Sequence, residues 1–143
     1  MAGDPYDLER FVAAQEAGGT YDRAAAELRR GRKVSHWMWF VFPQVAGLGR
    51  SEVSRRFAIS GLAEARAYLA HPVLGPRLVQ CAGLVTAIAG ASAEQVFGPV
   101  DAQKLRSCVT LFARADPAEP AFGRVLEQYF GGVADAATTR LLG

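Results

Sequence analysis

The chain has 143 residues, half of them apolar and about a fifth charged, with 16 basic against 14 acidic side chains for a net charge of +2. That length suits one domain exposing roughly 7,000 Å² of the roughly 22,000 Å² its unfolded chain would show, enough burial for a self-sufficient core, and the composition excludes a disordered chain. A charge of +2 spread over a whole domain excludes the footprint of a strong nucleic-acid binder, and the longest apolar run is far short of the about 20 residues a membrane span needs.

Asp4-Pro5 predicts a helix start, with an acidic N-cap and proline at the first helical position; Leu8, Phe11 and Val12, with Gln15 on the same face, supply its apolar stripe. Gly18-Gly19 ends it. Thr20 caps a second predicted helix striped by Tyr21, Ala24, Ala25 and Leu28, and Gly31 stops it, with Arg29, Arg30, Arg32 and Lys33 at its negative dipole end. The segment 36–44, HWMWFVFPQ, predicts one or two helical turns ended by Pro43. Ser51 caps a short helix to Phe57, and Ser60 opens another that carries Leu62, Ala65, Tyr68 and Leu69 as far as the breaker Pro72. From Leu74 to Ala89, Leu78, Cys81, Ala82, Val85 and Ile88 keep helical spacing in a stretch apolar enough to be a central, buried helix. His71 to Leu78 makes the corner before it, with Arg77 capping carbonyls. Ser92 and Gln95 form a capping box. Asp101 caps the next helix, whose Leu105, Cys108, Val109 and Phe112 face inward. After a loop at 116–120, Phe122, Val125, Leu126, Tyr129 and Phe130 make an amphipathic helix closed by Gly131-Gly132. Residues 132–143 hold a weakly ordered final turn. No period-2 segment and no hairpin turn occurs, so the expected fold class is all-α: a single compact domain of about seven or eight helices without significant sheet.

Asp4 and Asp7 stand where a secretory leader would carry cations, so a cytoplasmic protein is expected. Cys81 and Cys108, without CxxC spacing, read as reduced core thiols; His36 and His71 write no metal signature, so neither metal nor cofactor is expected. No Gly-rich phosphate loop and no nucleophile elbow is present.

Between His36 and Gln44 stand both tryptophans, two of the eight phenylalanines and one of the two histidines. A surface helix cannot turn the whole run from Trp37 to Pro43 inward, so the segment is either core or the wall of a cleft. Alone, it reads as ordinary helical core, and Arg29–Lys33 as a solvated helix end. Together they set Lys33, His36 and Gln44 beside indoles, a combination able to stack a planar body and neutralise an anionic group. Asp101, Lys104 and Ser107 recur every third residue on another helix face; the plain reading is an N-cap with an ion pair to Lys104. The functional reading gathers Tyr21, Lys33, Trp37, Trp39, Gln44, Lys104 and Ser107 around a small anionic, partly planar metabolite. If chemistry occurs, His36, whose ordinary pKa lies near neutrality, and Asp101 are the candidate acid–base pair.

The stretches DPYDLERFVAAQ (4–15), GRKVSHWMWFVFPQVAGLGRS (31–51), EARAYLAHPVLGPRL (64–78) and VFGPVDAQKLRSCVTLFARA (96–115) resemble a bacterial family with mycobacterial members, domain of unknown function 1810, over about residues 4–131. The resemblance implies a compact multihelical domain and brings no activity. It places emphasis on Tyr21, Lys33, His36, Trp37, Trp39, Gln44, Asp101, Lys104 and Ser107, so both of the chain's lysines fall on family positions. Where many members read Ser-Ser-Met-Thr, this chain reads Ser107-Cys108-Val109-Thr110, so a second serine hydroxyl is not required here. The expected function is binding of a small anionic, nucleotide-like metabolite. The alternatives are a non-catalytic helical module with a protein partner and, third, single-stranded nucleic-acid binding through Arg29–Lys33 with stacking on Trp37 or Trp39. No membrane partner is expected.

Overall fold

Ten α-helices and one 3₁₀ turn account for most of the computed structural model, which describes residues 3–143. They are α1 (Glu9–Glu16), the 3₁₀ turn (Ala17–Gly19), α2 (Thr20–Arg29), α3 (Met38–Val41), α4 (Glu52–Arg56), α5 (Leu62–Ala70), α6 (Leu74–Ala87), α7 (Ala93–Phe97), α8 (Pro99–Ala115), α9 (Pro120–Phe130) and α10 (Ala136–Leu142). The fold is all-α. Among the described residues, the strand-like feature is one isolated parallel bridge between Val45 and Ile59. Every predicted helical segment is present, and the larger total comes from the single turns α3, α4 and α7 counting as elements. The accessible surface, 7250 Å², matches what one close-packed core of this mass leaves exposed.

Several helix ends differ from the sequence expectation. α1 begins a turn late: Asp4 sits outside it, and its carboxylate accepts from the Leu8 and Glu9 amides at 2.7 and 2.8 Å. Gly19, in the left-handed region, occupies the cap position expected for Thr20. Gly61, in extended backbone, occupies the cap position expected for Ser60, whose own N–H and hydroxyl both donate to Glu64. At the end of α2, Gly31 does stop the helix. With φ at +78° it lets Gly31 N–H reach the Leu28 carbonyl and Arg32 N–H reach that of Glu27, the paired closure that a left-handed residue permits. The Ser51 cap and the Ser92–Gln95 capping box form as predicted. At the α5–α6 corner the expected Arg77 cap on carbonyls is not what forms. His71 Nδ1 caps α6 by accepting from Val73 and Leu74, while Arg77 binds the side chains of Gln15 and Glu16 and lies 4.5 Å over the Tyr21 ring.

The central helix is α8 rather than α6. α6 packs on α2, α5 and α9 but keeps Gly83 and Ala87 exposed, whereas α8 is wrapped by α5, α7, α9 and α10 and buries every residue from Ser107 to Phe112. Apolar periodicity sends Ser107 and Thr110 to the solvent side of α8. Tertiary structure covers that side with α10, whose Thr138 hydroxyl lies 2.8 Å from Ser107 Oγ and whose capping Asp135 donates its N–H to Thr110 Oγ1. The C-terminal segment is thus a capped helix docked on the core, not a weak turn. Cys81 and Cys108 are free and buried. No described helix is long and apolar enough to cross a membrane.

Candidate functional site

Glu27, on α2, organises the loop that follows it. Only 2% exposed, its carboxylate accepts from the Val34 and Ser35 amides, the Ser35 hydroxyl and the Trp37 indole N–H at 2.6–2.9 Å. Burial pushes its pKa up, but these four donors outweigh it and hold the group at about 2. Trp37 is thereby fixed in the core, wholly buried, and cannot wall a cleft.

The loop carries Lys33 against α8. Its ammonium is 2.8 Å from Asp101 Oδ2, 2.6 Å from the Ser35 carbonyl and 5.0 Å from the centre of the Trp37 ring, with the side chain 6% exposed. Asp101 is the third residue of α8, whose cap position belongs to Gly98, so its carboxylate is free to hold Lys33 by one oxygen and Lys104 by the other, at 3.6 Å. Lys104 lies 4.7 Å over the Trp39 ring. Two lysines, each on an indole, therefore share one aspartate, and the two clusters distant in sequence meet in space. Lys33 is spent as a strut in this arrangement. Its replacement by alanine is expected to cost about 2 kcal/mol in urea unfolding, below the about 3–5 kcal/mol of a fully dry pair because Asp101 keeps Lys104 and some solvent.

Beyond Lys104 opens a cleft of about 430 Å³ between α8, α10 and the 44–49 loop, lined by Gln44, Leu48, Val100, Gln103, Lys104, Ser107, Asp135 and Ala137 among others. The bridge from Val45 to Ile59 shapes its far wall: Ala46 N–H to the Ile59 carbonyl and Ile59 N–H to the Gln44 carbonyl, both 2.8 Å, pin the base of the loop that presents Leu48. Asp135 is sequestered, since Gln103 Nε2 takes Oδ1 while the Thr138 amide and hydroxyl take Oδ2. The Ser107 hydroxyl is engaged with Thr138. A narrower recess of about 10 Å³ adjoins the cleft and shares Gln44, Gly49 and Lys104 with it; Trp39 forms part of its wall.

Of the residues expected at a site, Gln44, Lys104 and Ser107 line the cleft and Trp39 its recess. Tyr21 is elsewhere, at the start of α2, donating to Gln80 beneath Arg77. His36 is exposed, lines neither the cleft nor the recess, and has no ion pair with Asp101 within 4 Å. Asp135, Ala137, Leu48 and Val100 were not singled out by the sequence. Asp135 three residues before Thr138 was the available signal, an N-cap pattern that marks a real helix and hence a wall.

The family model described as "Protein of unknown function (DUF1810)" matches residues 5–142. The crystal structure of the conserved hypothetical protein Rv1873 from Mycobacterium tuberculosis superposes with a TM-score of 0.94 at 53% identity, over 97% of this chain and 98% of that one. No curated protein matches the chain.

Proposed function

We propose that this chain, which belongs to the DUF1810 family of proteins of unknown function, binds a small anionic metabolite with a planar, nucleotide-like body in the cleft between α8, α10 and the 44–49 loop. The observation that carries the reading is the convergence of two remote segments, 44–49 and 100–107, on one concavity that Lys104 lines. Its volume falls in the range of small-ligand sites, and its walls combine apolar surfaces from Leu48, Val100 and Ala137 with a few polar groups. Lys104 and Asp135 are the charged groups that line the cleft; both Asp135 oxygens are taken up by hydrogen bonds from Gln103 and Thr138, so Lys104 is the ionic group left to meet an anion. The positive end of the α8 dipole adds to this, because Val100 in its first turn lines the cleft.

Binding is the reading favoured over catalysis: His36 stands away from the cleft, and Asp101 is divided between two lysines. Nucleic-acid binding would need an exposed indole beside Arg29–Lys33, but Trp37 is buried and Lys104 covers Trp39.

A thermal-shift panel of nucleotides, sugar nucleotides, dinucleotides and ADP-ribose-like compounds tests the proposal. A ligand at 100 times its Kd stabilises by about 2.7 kcal/mol. Lys104→Ala is expected to abolish that gain while changing the stability of the free protein by no more than about 1 kcal/mol. Stabilisation that survives in Lys104→Ala, or none across the panel, overturns the assignment.

A further inference from the structure

We infer that the recess beside Trp39 is an oxyanion subsite, in which one oxygen of a ligand carboxylate or phosphoryl group accepts hydrogen bonds from Trp39 Nε1–H and the Lys104 ammonium. This rests on reading the cleft as a metabolite site and assigns which end of the ligand enters first.

Three observations carry it. The indole N–H of Trp39 is buried and has no acceptor within hydrogen-bonding distance among the described residues. Such groups are rare in folded proteins because the lost solvation is not repaid, and Trp39 is among the residues that line the recess, so its orphaned donor points to an acceptor supplied from outside the chain as the recess widens to admit it. The recess is also the right size: about 10 Å³ holds one water-sized atom, an oxygen but not a ring. Finally, its lining has a sign. Trp39, Gln44, Ser54 and Lys104 contribute polar groups and no carboxylate lines it, whereas the wider cleft includes Asp135. An anionic oxygen is therefore favoured at the narrow end, and the planar body lies outward between Leu48, Val100 and Ala137. Lys104 is available to it, since its contact with Asp101 is loose at 3.6 Å and Asp101 keeps Lys33 at 2.8 Å when Lys104 turns away.

Proton–nitrogen correlation spectra of the whole protein test the assignment through its two indole signals, told apart by Trp39→Phe. The probes are benzoate and phenyl phosphate, with benzyl alcohol as the uncharged control. The acids are expected to move the Trp39 indole proton downfield, leave that of Trp37 in place on Glu27, and shift the Gln103 and Ala137 amides. Trp39→Phe and Lys104→Met are each expected to weaken the acids about tenfold, as loss of a hydrogen bond to a charged group does. The stronger of the two acids tells carboxylate from phosphoryl. If the Gln103 and Ala137 amides shift while the Trp39 indole stays still, or if benzyl alcohol binds as well as the acids, the cleft binds ligands but the recess is not an oxyanion subsite. No movement with any probe overturns both readings.

Discussion

Alanine in place of Glu27 is expected to lower the unfolding free energy by about 4 kcal/mol, because it leaves the Trp37 indole N–H and the Val34 and Ser35 amides without their acceptor. The same carboxylate makes the protein acid-sensitive. Its folded pKa of about 2 lies below the 4.5 of an ordinary glutamate, so the unfolded chain takes up the proton first as the pH falls. The stabilisation, about 3 kcal/mol from that difference, is complete above pH about 4.5 and is lost as the pH falls through about 2. Glu27→Gln keeps one carbonyl acceptor but has no charge to titrate. Its urea midpoint should therefore start lower than that of the wild type at neutral pH and converge on it in acid. Parallel curves for the two proteins would show that Glu27 is not the titrating group. Its consequence for the cleft is indirect: Glu27 holds the loop, the loop holds Lys33, and Lys33 holds Asp101 beside Lys104.

Gly75→Ala is expected to be as damaging, through packing rather than charge. A Cβ at Gly75, in the first turn of α6, would lie 2.0 Å from the Leu69 carbonyl oxygen and 2.9 Å from its carbon, in the last turn of α5. Both are backbone atoms, so relief requires the two helices to part at the corner capped by His71. A loss of about 3 kcal/mol or more in a thermal or urea melt is expected. Gly83→Ala, on the exposed side of the same helix with nothing within 4 Å of its Cβ, is the control and should gain about 0.5–1 kcal/mol from helix propensity. A Gly75→Ala protein as stable as wild type would mean that the α5–α6 corner is not close-packed.

The helices were legible because their information is local. Periodic apolar residues, Ser51, Ser92 and Gly31 specify elements within a few positions of themselves, and each predicted segment appears, although the described residues hold ten helices where about seven or eight were expected. Caps were read less well where a side chain reaches past its neighbours: Asp4 caps from four residues away, and Arg77, expected on carbonyls, binds the side chains of Gln15 and Glu16 while His71 closes the start of α6. The sequence also picked out Trp39, Gln44, Lys104 and Ser107, since residues of that chemistry are conspicuous in a chain with two tryptophans and two lysines. It could not divide the conspicuous residues between framework and cleft. Trp37 and Lys33 have the same composition signal as Trp39 and Lys104, yet Glu27 draws Trp37 inward and Asp101 locks Lys33 at 6% exposure, while Trp39 and Lys104 border open space. That division depends on pairings across 10 to 68 residues of chain, such as Glu27 with Trp37 and Lys33 with Asp101, and on α10 lying over the hydroxyl face of α8. Local sequence determined the elements and named the reactive side chains. Which of them were neutralised and buried, and which were left facing a cleft, was decided by tertiary contacts, because desolvation and ion pairing depend on neighbours in space rather than on spacing along the chain.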